Sequence, residues 1–207
     1  MEIFIGNRLE EFKVFANGLF NSKGMRSPAD SQDEQSESKA NDSSVFKLDE
    51  KEESVFLHCV FESEEKMNEQ AHLDFNHGLN EVALQEALDF LVKKYSKLRS
   101  NFVFDRFSIP VKRVFYQMSH HIDYVKCKER STEEQEYQMQ LYMKEEKSQI
   151  FELGKAPLMK ISLINYRKNR FRLVWTCHSI LLTDLCMSKL IAELWTMYES
   201  FSSDYLV

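Results

Sequence analysis

The stretch from Trp175 to Tyr198, WTCHSILLTDLCMSKLIAELWTMY, passes from one structural period to another. Its opening residues complete a run of β-formers, Phe171–Cys177. Its closing residues place Leu190, Ile191, Leu194 and Tyr198 on one side of a helix. Between the two lies a single histidine, His178, followed by Ser179, three apolar residues, Thr183 and Asp184. Immediately upstream, Leu158–Tyr166 is a second β-forming run, and the polar link RKN predicts that it pairs with Phe171–Cys177 as an antiparallel hairpin.

Moving further out, Ser131 and Glu134 have the spacing of a capping box. Tyr137, Leu141 and the pair Met139/Met143 continue a helical pattern up to Ile150, with the two methionines read as helix-face packing. From about Asn80 to Leu98, apolar residues fall at Leu84, Leu88, Leu91, Tyr95 and Leu98, in steps of four, three, four and three, with Asn80 as the N-cap. Val103–Phe107 and Val111–Tyr116 read as short strands, with Pro110 at a strand start. Val55–Phe61 is apolar on both faces of an extended chain and reads as a strand buried on two sides. Strands and helices mix without strict alternation, which predicts an α+β fold, a two-layer mixed β-sheet covered by helices.

Composition bounds the remainder. The chain has 207 residues, 43% of them apolar and 16 of them Phe, with only 5 Gly and 3 Pro, which excludes collagen-like and wholly disordered classes. The net charge of −6 resides between Ser27 and Glu53, where nine acids meet three lysines, so the rest of the chain is neutral. Residues 27–53 therefore read as an acidic disordered insertion. Residues 1–26, with Ile3, Phe4, Leu9, Phe12, Phe15, Leu19 and Phe20, read as a segment that packs on the main lobe, residues 54–207. A neutral body with an acidic segment argues against nucleic acid as a partner. The absence of a long apolar run and of a leader-like start predicts a soluble cytoplasmic protein without a membrane span. Four cysteines lack any CxxC pair and read as reduced thiols. Only Cys177, His178 and Cys186 lie near one another in sequence, too sparse a set for a metal site. His120–His121 reads as exposed loop or strand histidines.

Four segments, in order, resemble one family. ALQEALDFLVKKYSKLRSNF, residues 83–102, is similar to the helix of condensation domains that ends in an RHxxLRTxF signature: Leu98, Arg99 and Phe102 match, Lys94 and Tyr95 replace Arg and His, and Ser100 replaces Thr. FELGKAPLMKISLI, residues 151–164, resembles the element FDLxxxPLxRxxL. Residues 175–198 resemble a strand, an HHxxxDG motif and the helix after it. Arg8, Leu9 and Glu11 resemble an opening R-L-x-x-E pattern. The resemblance is to the chloramphenicol acetyltransferase-like superfamily of CoA-dependent acyltransferases, and it implies a single lobe of that fold.

In the register that keeps the following helix aligned, His178 takes the first His, Ser179 the second, Thr183 the Asp and Asp184 the Gly. Glu193, Leu194 and Tyr198 then fall where that helix carries Glu, Leu and Tyr. The other register puts Leu182 on the Asp and loses the helix. In the family the second His is read as the base that helps an amine or hydroxyl attack a thioester, and the Asp holds the motif loop through an ion pair with an arginine. A serine hydroxyl is no proton acceptor at pH 7, and threonine carries no charge. The resemblance therefore implies a decayed acyltransferase acting by binding or assembly, with the degenerate motif His178, Ser179, Thr183 and Asp184, no metal and no cofactor. Thr183 or Asp184 is expected to cap the following helix. The rival is an active enzyme that uses a CoA or carrier-protein thioester with His178 as base. A third class is a scaffold whose acidic segment recruits partners. Because the chain ends about 20 residues past the motif, the expected partner is a homotrimer or a second acyltransferase-like lobe.

Overall fold

The computed structural model describes residues 42–61, 67–76, 78–105, 108–127, 131–167 and 170–204. In chain order these form β1 (Ser43–Lys47), α1 (Glu50–Phe61), β2 (Asn68–Phe75), α2 (Glu81–Lys94), a 3-10 turn (Ser96–Arg99), β3 (Ser100–Phe104), β4 (Pro110–Phe115) and β5 (Ile122–Lys126). They continue with α3 (Thr132–Lys147), β6 (Met159–Arg167), β7 (Arg170–His178), a 3-10 turn (Ser179–Leu182) and α4 (Met187–Asp204).

The helices start where their side chains satisfy the first free backbone N–H groups. Asn80 Oδ1 accepts from Val82 and Ala83 at 3.1 Å each, and Ser131 with Glu134 forms the expected reciprocal box. α1 has the same device: Asp49 Oδ1 accepts from Lys51 at 2.9 Å and Glu52 at 2.8 Å, while Glu52 Oε2 accepts from the Asp49 N–H at 3.2 Å. This corrects two expectations. Val55–Phe61 is helix rather than strand, because the cap launches a helix that buries Phe56 against Phe104 at 5.0 Å between ring centroids. Asp42–Glu53, expected to be disordered, instead supplies β1 and the first turn of α1, whose acids Glu50, Glu52 and Glu53 suit a helix N-terminus. The boundary placed at residue 54 therefore falls inside a helix. Residues 1–26 and 27–41, and the likeness at Arg8, Leu9 and Glu11, lie outside the described residues.

The strands divide between two sheets, one ordered β1-β4-β3 and antiparallel, the other β2-β7-β6-β5 and mixed. In the second sheet the expected hairpin of β6 and β7 lies at the centre, β2 pairs antiparallel to β7, and β5 pairs parallel to β6. The α+β architecture is as expected, with helices on the sheets. Ile161, Leu163, Leu173, Trp175 and Cys177 point to one face and join Leu84, Leu88 and Leu91 of α2 and Leu190 and Leu194 of α4 in the main core. Each fully buried leucine contributes about 2 kcal/mol. Ile164, Tyr166 and Val174 point to the other face and meet Met139 of α3 in a smaller core, with Met143 beside it. Tyr137 and Leu141 of α3 face outward. β2 joins the two layers: Asn68 Nδ2 donates to the Lys147 and Gln149 carbonyls at 3.0 and 2.7 Å, and Gln70 Nε2 donates to the Met143 carbonyl at 2.9 Å.

Candidate functional site

β7 ends at His178, whose N–H donates to the Leu158 carbonyl at 2.9 Å, and Ser179 continues the pairing by donating its N–H to the Met67 carbonyl at 2.7 Å. The chain then tightens into the 3-10 turn, and His178 caps it: Nδ1 accepts the Ile180 N–H at 3.1 Å. The residue is 6% exposed, and burial drives its pKa down to about 4. The ring is therefore neutral at pH 7. With Nδ1 acting as the acceptor, the proton resides on Nε2. Nε2 lies 3.6 Å from Cys59 Sγ, and the Cys59 thiol donates to Met67 Sδ at 3.5 Å. Both nitrogens of His178 are thus committed to protein partners, and the one lone pair able to take a proton faces a backbone amide.

Ser179 has a buried hydroxyl without a hydrogen-bond partner, so no base among the described residues is engaged to activate it. Thr183 and Asp184 do not cap α4. The Leu190 N–H bonds to the Cys186 carbonyl at 3.0 Å, and both motif residues turn instead to Lys97. The Lys97 ammonium is buried; it donates to Thr183 Oγ1 at 2.7 Å, pairs with Asp184 Oδ1 and pairs with Glu52 Oε1 at 3.0 Å. Lys112 reaches the same Glu52 oxygen at 2.7 Å. Glu52 is fully buried, so two ammonium groups stand against it, with Asp184 as the outer carboxylate at 63% side-chain exposure. The correction has a simple cause: a buried cation needs carboxylates more than a helix end needs a cap.

Arg99, a matched signature residue, donates Nε to the Val92 carbonyl at 3.3 Å and Nη1 to the Phe115 carbonyl, which ties α2 to β4. Lys94 and Tyr95 both bind Glu193 of α4 at 2.7 Å, and these partners hold the Glu193 carboxyl below its usual range. The FELGKAPL element is fixed to β3 by the Phe102 N–H on the Leu153 carbonyl at 2.8 Å and by Asn101 Nδ2 on the Gly154 carbonyl at 2.7 Å.

His120 departs from expectation. It is 5% exposed, because Gln85 grips its carbonyl at 2.7 Å and draws the segment onto α2; burial lowers its pKa. Cys177, His178 and Cys186 do not form a ligand set, and no cluster of three or more His, Cys, Asp or Glu side chains is placed to hold a metal among the described residues. No helix among them is long and apolar enough to cross a membrane. Sequence reasoning missed Lys97, Glu52, Cys59 and Met67. Only Glu52 carried a signal, as the third residue after Asp49 in a capping box.

A model of the condensation domain matches residues 52–205. Bacitracin synthase 3 of Bacillus licheniformis is 26% identical over 156 residues, 75% of this chain and 2% of that protein. Tyrocidine synthase 2 of Brevibacillus parabrevis is 22% identical over 160 residues, 77% of this chain and 4% of that one. The chain therefore spans only a few per cent of the length of these two relatives. Among solved structures, the starter condensation domain of rhizomide synthetase RzmA superposes with a TM-score of 0.66 at 11% identity, over 77% of this chain and 38% of that one. The first condensation domain of the CDA synthetase superposes with a TM-score of 0.64 at 16% identity, over 78% and 41%. These structures share the fold, and the match over residues 52–205 shows that the chain belongs to the condensation-domain family, with its acyltransferase-type architecture.

Proposed function

We propose that this lobe has lost transfer chemistry and acts by binding or assembly. The observation that supports the reading is the state of His178: a buried neutral ring whose Nδ1 accepts from Ile180 and whose Nε2 faces Cys59, next to a serine at 179. A general base needs a free lone pair within hydrogen-bond reach of the attacking group and a pKa near the working pH. His178 offers a pKa near 4 and no free lone pair at Nε2. On this reading the motif residues His178, Ser179, Thr183 and Asp184 are structural, and no CoA or carrier-protein thioester is turned over. Cytoplasmic residence is part of the same proposal.

The partner proposed for the lobe is a second acyltransferase-like lobe or two further copies in a trimer. The region matched here is about two fifths of each solved condensation domain, which supports reading it as one lobe that acts with a complement.

The test is an acyl-CoA thiolysis assay with a panel of amines and alcohols. The expected result is no turnover above the buffer rate, in the natural chain or in His178→Ala. Turnover that disappears in His178→Ala would establish the rival reading, an active acyltransferase with His178 as base. Light scattering reads the assembly: a mass of three chains or of a heteromeric pair is expected, and a stable lone monomer removes the assembly proposal.

A further inference from the structure

The polar contacts around the motif close on themselves. On α1, Glu52 holds Lys97 at 3.0 Å. Lys97 donates to the Thr183 hydroxyl at 2.7 Å, and that hydroxyl donates onward to the Ile180 carbonyl in a long contact of 3.5 Å. The Ile180 N–H meets His178 Nδ1 at 3.1 Å, and His178 Nε2 meets Cys59 Sγ at 3.6 Å. Cys59 is again on α1, seven residues after Glu52, so the circuit leaves and re-enters one helix on the same face, two turns apart.

We propose that Lys97 is the positioning residue of this circuit: by gripping Glu52, Thr183 and Asp184 together it holds the Ser179–Leu182 turn in the geometry that keeps the His178 lone pair on the Ile180 amide. The charges are already weighted towards carboxylates. Lys97 and Lys112 face Glu52 and Asp184, and both also act on the Asp49 carboxylate, so two cations meet three carboxylates. Thr183, being neutral, adds a hydroxyl acceptor without a fourth. Asp184 therefore supplies the anchoring charge at this turn, one position later than the sequence resemblance implies. The same count gives a sharp consequence. Thr183→Asp makes the motif look more complete, yet adds an unmatched carboxylate to a part-buried cluster, whereas Thr183→Asp with Asp184→Gly leaves the number of carboxylates unchanged.

The inference concerns the histidine of the functional proposal but is read by ring tautomer and amide exchange, not turnover, so either can fail alone. Nitrogen-15 spectra of His178 report which ring nitrogen carries the proton, and hydrogen exchange reports the Ile180 amide. In Lys97→Met the single-tautomer signature of His178 is expected to be lost and Ile180 to exchange at least about tenfold faster. Should Lys97→Met fail to fold, Asp184→Asn, a change at an exposed carboxylate, is expected to give the same two shifts at smaller size. Thr183→Asp is expected to lower Tm by about 5 °C, with the double change recovering most of it. An unchanged tautomer and unchanged Ile180 exchange in folded Lys97→Met, or in Asp184→Asn where Lys97→Met does not fold, would overturn the proposal. So would a higher Tm for Thr183→Asp alone.

Discussion

His178 is neutral because it is buried, and that fact has a measurable cost in acid. Its pKa falls to about 4 in the folded chain against about 6.5 when unfolded, so the unfolded state binds more protons between those values. Stability is therefore fully present above pH ~6.5 and is lost as the pH falls towards 4, by about 3 kcal/mol in total. His120 is shifted the same way by burial and adds to the slope. His178→Asn, which keeps an acceptor for Ile180, is expected to flatten this part of a Tm-against-pH curve; an unchanged slope would mean that the ring is already charged in the fold. The thiols divide as clearly. Cys186 is exposed, with its pKa lowered by the Ser188 hydroxyl and the Lys189 and Ser188 amides, while burial pushes Cys177 up to about 12. Alkylation followed by mass spectrometry is expected to label Cys186 first and Cys177 last. At this scale the four motif residues were legible, because they stand at fixed spacing in one short stretch. Their partners were not: Lys97 and Glu52 lie far upstream, and nothing in a linear pattern pairs a charge in an acidic run with a lysine in a helix signature.

The helices were legible where a cap and a 3.6-residue stripe agreed, as in α2, whose Ala83, Leu84, Ala87, Leu88, Leu91 and Val92 are all buried. α1 failed that reading because Val55, Phe56, Val60 and Phe61 are β-formers and, with Leu57, put apolar residues on both faces of an extended chain. The Asp49 to Glu52 box, the feature that overrides them, lies in an acidic run where a linear pattern shows only charge. β2 escaped for the opposite reason: its polar positions, Asn68 and Gln70, are turned inward to bind α3 backbone instead of outward to water. The cap of α1 is open to a direct test. Asp49→Ala leaves two N–H groups without their acceptor and is expected to cost about 1 kcal/mol in chemical denaturation. No loss would mean that packing of Phe56 alone sets the start of the helix.

For the molecule as a whole, the two cores are unequal. The main one gathers both sheets with α1, α2 and α4, whereas α3 is held by a small cluster around Met139, by the Asn68 and Gln70 contacts and by its buried Glu146, which accepts from Ser162 Oγ at 2.6 Å and pairs with Lys160 at 2.9 Å. Local opening follows the weaker attachment. Hydrogen exchange is expected to run faster in α3 than in α2, and Met139→Ala to raise the α3 rates about tenfold or more with α2 unchanged. Equal acceleration in both helices would show that α3 opens only with global unfolding. The α+β class was legible because hairpin, capped helices and strand lengths each pointed to it. The division into two sheets was not, since β5 joins β6 in parallel across 32 residues of intervening chain.

The shared ammonium at position 97 also imposes a chronology. Asp184 is exposed and could arrive at little cost, Lys97 is tolerable only once a carboxylate waits for it at 184 or 52, and a fully buried Glu52 is tolerable only with a cation in place at 97 or 112. Stepwise ancestry, in nature or in a laboratory library, is thereby constrained never to leave position 97 or 52 buried without its opposite charge, and reversal must respect the same order of dependence.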